Sequence, residues 1–316
     1  MMLLRHALRV MSPPGPKARL SVLIFHRVLP EIDPLFPGEM HARRFDDMCG
    51  WLANWFNVLP LDKAVAHMRA GTLPARAASI TFDDGYADNH AVALPILQRH
   101  GLTSTFFIAT GFLDGGRMWN DTIIEAIRRC GQNRLDLSAM GLGHHALGSV
   151  ADKAHAIASL IDQIKYRPGV ERVAMTEQLA SLCGVQLPQD LMMTSHQVKA
   201  MRRAGMLIGA HTVSHPILAR LEDSEARQEI AASKIYLEGL LGEPVGLFAY
   251  PNGKPGADYT STSVDIVRRL GFDAAVSTSP GTSTQGDDHF QIRRFTPWDK
   301  SRVRFGVRML MNLRVT

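Results

Sequence analysis

Short apolar runs alternate along most of this chain with stretches of helical spacing. The runs at 21–28, 80–84, 103–110, 206–210, 247–250, 274–278 and 291–295 are dense in apolar, β-branched or aromatic residues and predict strands. Between them, apolar residues recur every three to four positions and predict helices at 45–56, 61–71, 89–101, 119–130, 197–205, 224–241 and around 264–270. Asp223 and Ser224 offer a cap for the longest helix, and Gly101 and Gly242 stop two of them. Seven strands separated mostly by helices describe βα units and a parallel sheet. His26, Asp83, Asp84, His211, Tyr250 and Arg294 all fall at or just after the C-terminal ends of their strands. A (β/α) barrel carries its active site at that end. An open doubly wound sheet would also gather ligands there. The barrel is favoured because such residues follow strands along the whole chain and no glycine-rich nucleotide loop interrupts them. The expected fold is α/β, a distorted (β/α) barrel of seven to eight strands with a mostly helical insertion.

The insertion is placed at about 112–194, between the third and fourth strands. Residues 132–194 break the strand–helix rhythm, with helical stretches at 151–166 and 170–183 and a Gly- and His-rich piece, GLGHHALG, at 141–148. Nothing there resembles a second core with strands, so the segment reads either as a lid or substrate-binding wall or as a decorative insertion. His144 and His145 read as members of a polar loop rather than as metal ligands. Residues 1–19 are expected as an N-terminal tail, 20–299 as the barrel, and 300–316 as a basic amphipathic helix. That last segment has five Lys/Arg among Val, Phe, Met and Leu. It would either close the barrel with its apolar face or lie on an anionic membrane.

Composition narrows the picture only a little. The chain has 316 residues, 46% apolar and 21% charged, which suits a soluble globular protein. It is long enough for one large α/β domain or two small ones. A net charge of +5 fits an anionic surface or polymer. No aromatic-basic stripe or Lys-rich run points to nucleic acid. Cys49, Cys130 and Cys183 are odd in number and form no CxxC pair, as expected of thiols in a reducing compartment. Residues 1–20 contain Arg5 and Arg9 but no secretory apolar stretch, and no membrane-spanning run follows. The expected location is the cytoplasm, with the inner membrane face as a peripheral site.

Two motifs carry the chemistry. TFDDGY at 81–86 sets two carboxylates at a strand end, before a glycine that permits a tight turn. Side chains alternate along a strand, but at the turn this relaxes and both carboxylates can reach one centre. HTVSHP at 211–216 offers two imidazoles four positions apart, and Pro216 argues against a helix through His215. One Asp with two His suits Zn²⁺ with open positions, although other divalent ions fit the same donors.

The two motifs, in this order, resemble the polysaccharide deacetylase family, also called carbohydrate esterase family four or the NodB-homology domain. Asp88-Asn89, Ala93 to Pro95, Gly101, Thr105-Phe106-Phe107 and Gly111 follow the first motif as in that family. FAYPNG at 248–253 is similar to its third motif, and GFDAAVST at 271–278 to the strand before its last elements. The resemblance spans roughly 20–299 and is weakest in the insertion. It implies hydrolysis of N-acetyl groups on amino sugars, usually in polymers or, here, in a lipid-linked saccharide. It implies Asp83 as the general base and Asp84, His211 and His215 as ligands of a divalent metal, with zinc first. Tyr250 would lend a backbone N–H to the oxyanion, beside Pro251.

The chain departs from the family in two places. Ala249 stands where the third motif usually has the Arg that orients the base, and Arg293 or Arg294 on the last strand is expected to replace it. No Leu-x-His motif follows Phe295 to supply the general acid. VLIFHRV resembles the first strand of the branch with rearranged motifs, as in poly-N-acetylglucosamine deacetylases, and this makes His26 the expected acid, with His289 as competitor. Trp119 and Trp298-Asp299 are candidates to line the cleft. Two other readings use the same residues: a metal-dependent amidase on a non-sugar acyl amide, and a non-catalytic saccharide-binding barrel. Adjacent rather than alternate carboxylates disfavour an Asp-x-Asp phosphatase, and the lack of a Gly-rich Lys-containing loop removes a nucleotide hydrolase.

Overall fold

The structure is a computed structural model that describes residues 2–315. It divides into two compact units, one of residues 1–31, 40–113 and 193–316, the other of residues 32–39 and 114–192. In chain order the first unit opens with α1 (Met2–Met11), β1 (Ser21–Phe25), α2 (Ala42–Trp55), β2 (Asn57–Val58), α3 (Leu61–Arg69), β3 (Ala77–Phe82), α4 (Leu94–Arg99) and β4 (Thr105–Ile108). The second unit holds α5 (Trp119–Arg129), β5 (Arg134–Asp136), β6 (His144–Ala146), α6 (Val150–Ile164) and α7 (Gly169–Cys183). The first unit resumes with α8 (Ser195–Arg203), β7 (Leu207–Ala210), α9 (Asp223–Leu241), β8 (Leu247–Ala249), α10 (Ser261–Arg269), β9 (Ala274–Val276), β10 (Arg294–Phe295) and α11 (Arg302–Asn312).

The main sheet has eight strands among the described residues, in the order β10-β1-β3-β4-β7-β8-β9, with β2 beside the start of β3. Every pairing in it is parallel. The segment leading into β10 closes the ring, because Ile292 pairs with Val276 at the other end of the order. The Ile292 N–H donates to Ala275 O at 3.0 Å, and Ser277 N–H donates to Ile292 O at 2.8 Å. The fold is thus the distorted (β/α) barrel that the strand–helix alternation predicts.

Neighbouring strand residues separate cleanly into two buried clusters. Val22, Phe107, Leu247, Ala249, Val276 and Ile292 come from strands all around the ring and meet in one cluster with α3, so they fill the barrel. Leu23, Phe25, Ile80, Phe82, Phe106 and Phe248 join the other, beneath the surrounding helices. Period-two alternation of the strands produces this division. Inside the barrel, Phe107 needs a small neighbour: a Cβ on Gly209 would lie 2.5 Å from its ring.

Three expectations change. The N-terminal stretch expected as a tail contains α1, whose Leu8 is fully buried in the core of the first unit. Leu4, Leu8 and Met11 stand at helical spacing, a signal overshadowed by the flanking arginines. The last strand is shorter than 291–295 in formal pairing, yet its preceding residues complete the ring. The second unit has a core of its own and a two-stranded antiparallel sheet of β5 and β6, against the expectation of no second core with strands. Each of those strands has three residues with only one buried side chain, Leu135 or His145. That is too short for alternation to register. His145 Nε2 donates to Leu142 O at 2.9 Å from within β6, so it is a sheet residue rather than a loop residue. All three cysteines are buried and free. Among the described residues no helix is long and apolar enough to cross a membrane.

Candidate active site

β3 delivers both carboxylates. Asp83 follows the last strand residue, shares the inward face of Ser79 and Thr81, and donates its N–H to Phe25 O at 2.9 Å. Asp84 then takes a left-handed φ of 78°, and Gly85 follows at 92°. The two positive φ values turn the chain sharply enough to bring adjacent carboxylates to one centre. Gly85 also passes close to β4, where a Cβ would lie 3.3 Å from Ile108.

Arg294 reaches Asp83 from β10, across the barrel interior. Its Nη1 and Nη2 donate to the two Asp83 oxygens at 2.7 and 2.8 Å. Its Nε donates to Ser277 O at 2.7 Å. Both partners of this forked pair are buried. Burial alone would raise the Asp83 carboxyl, but the Arg294 charge, with His211 and His26 adding, leaves it below the usual range. Between the two arginines considered at the sequence level, Arg294 makes this contact, while Arg293 lies beside Ser283.

Asp84, His211 and His215 form a cluster whose ligand atoms all lie within 4.8 Å of one another. The Nε2 atoms of His211 and His215 stand 3.4 and 3.5 Å from Asp84 Oδ1. His211 Nδ1 donates to Ala249 O at 2.7 Å. In the neutral ring this commits the proton to Nδ1 and leaves a bare lone pair at Nε2, facing a carboxylate. Asp84 Oδ1 is buried and has no hydrogen-bond partner among the described residues. An oxygen and two nitrogens with lone pairs converging in a buried space suit a divalent cation. The protonation states of Asp84 and His215 agree, whereas the neighbouring Asp84 and Asp83 carboxylates hold His211 above its usual value against its burial, so a cation would displace a proton there. Burial would raise the Asp84 carboxyl, yet the imidazoles beside it hold it well below the usual range. Burial pushes His215 down to about 4, so its ring is neutral at pH 7.

The loop carrying the imidazoles is strained and braced. Six non-glycine residues among those described have positive φ, and Asp84, Thr212 and His215 are three of them. Such backbone persists only where surrounding bonds enforce it. Here the Glu229 carboxylate of α9 accepts from Val213 N–H and Ser214 N–H, each at 2.9 Å, and from Ser214 Oγ at 2.7 Å. Thr212 Oγ1 accepts from His215 N–H at 3.1 Å. Glu229 is absent from the sequence reading because it sits on a solvated helix face, 14 positions beyond His215, with no local pattern to mark it. Glu229→Ala is expected to weaken binding of a divalent ion about 10–100-fold, as removal of groups behind metal ligands generally does. Titration calorimetry with Zn²⁺ checks this, and unchanged affinity would show the brace to be dispensable.

His26 follows β1 directly and is exposed. It lies near enough for its charge to act on Asp83, Asp84 and His215. The turn after Gly85 fixes its backbone. Asn89 Nδ2 donates to His26 O at 2.9 Å, while the buried Asp88 accepts from Val28 N–H at 3.0 Å and Arg27 Nε at 2.8 Å. Asn89 opens a wide π turn over Asn89–Ala93, ahead of Pro95 in α4. His289 lies at the opposite end of the barrel. It precedes β10, and its neighbours include Arg69 in the last turn of α3.

The structure changes the expectation for Tyr250. Its N–H donates to Val276 O at 3.3 Å within the sheet, so it is not free to meet an oxyanion. The side chain is buried, donates to Phe290 O at 3.0 Å and stacks on Tyr259 at 3.9 Å. Tyr250 therefore supports the wall below the site. Pro251 is buried beside it and has no N–H to offer. Trp119 begins α5 in the second unit, where the Arg172 guanidinium lies 4.9 Å over its ring.

Barrel and site together define a class, α/β barrels with a buried Asp-His-His cluster beside an arginine-paired carboxylate at the strand ends. The model of the polysaccharide deacetylase family matches residues 70–166 and 174–275, and the chain belongs to that family. A curated relative is YxkH of Bacillus subtilis (strain 168), assigned by name to the polysaccharide deacetylases. It is 20% identical over 279 residues, 88% of this chain and 71% of that one. Among solved structures, the Streptococcus pyogenes deacetylase PplD in complex with acetate is 19% identical. Its TM-score is 0.62, with 94% of this chain and 98% of that one covered. IcaB from Ammonifex degensii is 18% identical with a TM-score of 0.59, covering 96% and 99%. A de-N-acetylase from Aggregatibacter actinomycetemcomitans is 15% identical with a TM-score of 0.58, covering 92% and 99%. These likenesses establish a shared fold.

Proposed function

We propose that this protein removes N-acetyl groups from amino-sugar residues of a polysaccharide or lipid-linked saccharide, with a divalent metal, zinc first, held by Asp84, His211 and His215. The observation that carries the reading is the clamped Asp83 carboxylate beside that cluster. A pure binding barrel has no use for an ionised carboxylate fixed by a buried arginine next to a cation site. When bound, the ion supplies Lewis-acid polarisation of the amide carbonyl.

The residues of the chain supply the proton transfers. Asp83, kept ionised and aimed by Arg294, accepts a proton from the attacking water as its oxygen bonds to the acyl carbon. His26, at the exposed mouth, donates a proton to the departing sugar nitrogen. The C–N bond breaks, and acetate and a free amine leave. In this chain Arg294 on β10 takes the position that the absent side chain at Ala249 leaves open.

The test is acetate release from N-acetylglucosamine oligomers and from small acyl amides, with Zn²⁺ and after chelation. Release from the sugars that chelation stops and Zn²⁺ restores is the expected result. Release from the small amides alone would replace the sugar substrate with a non-sugar amide. His26→Ala is expected to lower kcat by about 10²–10⁴-fold, and an unchanged rate would remove His26 from the acid role.

A further inference from the structure

The two ends of the chain build one surface. α1 packs against α11, with Gly306 lying against Leu4, where a Cβ would sit 2.7 Å from the Leu4 side chain. The inner faces of both helices are buried through Leu8, Phe305 and Met309. Their outer faces keep large apolar side chains in solvent. Leu3 is 87% exposed, Val10 65%, Val303 75%, Val307 49% and Met311 60%. Trp298, just before α11, is 63% exposed. Its ring is held by the Arg308 guanidinium at 4.5 Å, and Arg308 is itself paired with Asp299 at 2.7 Å. Trp298, Val303 and Val307 line an open groove of about 410 Å³ with Lys300 and Arg304.

The charge on this surface has a single sign at its exposed positions. Residues 1–20 hold four Lys and Arg and residues 300–316 hold five, so the two ends carry nine of the 35 cations of the chain. They carry none of its 30 Asp and Glu, and the remaining 26 cations face all 30 anions elsewhere. The net positive charge of the protein therefore belongs to its two ends. Exposed apolar side chains interleaved with Arg5, Arg9, Arg302 and Arg304 form the pattern of a segment that lies in a membrane interface. A protein partner would require an acidic apolar face of its own, whereas an anionic bilayer offers both features at once.

We propose that α1, α11 and Trp298 form a docking surface for an anionic lipid bilayer, with the apolar side chains entering the interface and the arginines meeting headgroups. Trp298 lies three residues beyond the C-terminal end of β10, the end that also presents Arg294 and Asp83. The surface stands on its own observations, and vesicle binding is read without any measurement of catalysis.

The experiment is flotation of the full chain with phosphatidylcholine vesicles and with vesicles containing 30–40% phosphatidylglycerol. Binding to the anionic vesicles at low salt, weakened at least about 10-fold by 0.5 M NaCl or by omission of phosphatidylglycerol, is expected. Val303→Glu/Val307→Glu should reduce it at least 10-fold while the circular dichroism spectrum is unchanged. Lys300→Glu/Arg304→Glu, at two exposed positions lining the groove, serves as the second variant and should do the same. No binding to anionic vesicles, or equal binding by wild type and both variants, overturns the proposal. A concentration-dependent dimer that buries this face and leaves vesicles unbound overturns it in favour of a second copy.

Discussion

Asp83→Asn should leave a divalent ion bound and acetate release lowered by about 10²–10⁴-fold, the usual worth of a positioned base. The amide is nearly isosteric and touches neither His211 nor His215, so the three-residue cation cluster stays intact. It cannot accept a proton at neutral pH. It also accepts only one of the two hydrogen bonds that Arg294 now donates to Asp83, because its other atom is a donor. Zn²⁺ affinity by calorimetry should therefore match wild type within a few-fold while kcat collapses. Matched loss of both would mean that Asp83 helps to hold the ion. Unchanged kcat would remove it from the base role.

The second large effect is expected at Arg294. Arg294→Met removes a guanidinium that is 0% exposed and leaves the Asp83 charge buried without its partner. Breaking a buried pair on one side costs about 3–5 kcal/mol, because the remaining charge keeps its desolvation penalty. The urea midpoint should fall accordingly. The carboxyl should also move upward. Burial raises Asp83, and the Arg294 charge and hydrogen bond outweigh it only together with His211 and His26, so without Arg294 the base becomes protonated at higher pH. Asp83→Asn/Arg294→Met removes both charges and should recover most of the stability but no activity. A double variant as unstable as Arg294→Met would mean that the arginine acts through packing against the barrel interior rather than through the pair. Arg294→Lys is not a mild replacement, since a lysine cannot reproduce the fork to both oxygens and to Ser277 O.

The arginine that pairs with Asp83 comes from β10 and not from β8. With alanine at 249, the β8 side of the barrel interior has no arginine to offer Asp83. The position is filled from β10, which enters the ring between β9 and β1. Ala249 keeps a role through its backbone, whose carbonyl fixes the His211 tautomer.

Sequence alone determined the architecture and the two motif clusters, because each is local. Strand and helix periods are written in consecutive residues, and Asp83-Asp84-Gly85 and His211 to His215 are short enough to read directly. It also placed the basic amphipathic segment at the C-terminus. Four features came only from the tertiary structure. Glu229 supports the imidazole loop from a helix face that looks merely solvated. Asp88 and Asn89 tie down the backbone around His26 across about 60 positions of chain. Tyr250 proved unable to supply its N–H, since strand pairing with Val276 had already claimed it. The second unit condensed its own core from residues 32–39 and 114–192, and its three-residue strands are too short to show a period. The cause is the same in each case. A hydrogen-bond partner brought in by folding from a distant segment leaves no periodic trace at either position, whereas burial on one face of a helix or strand repeats every few residues.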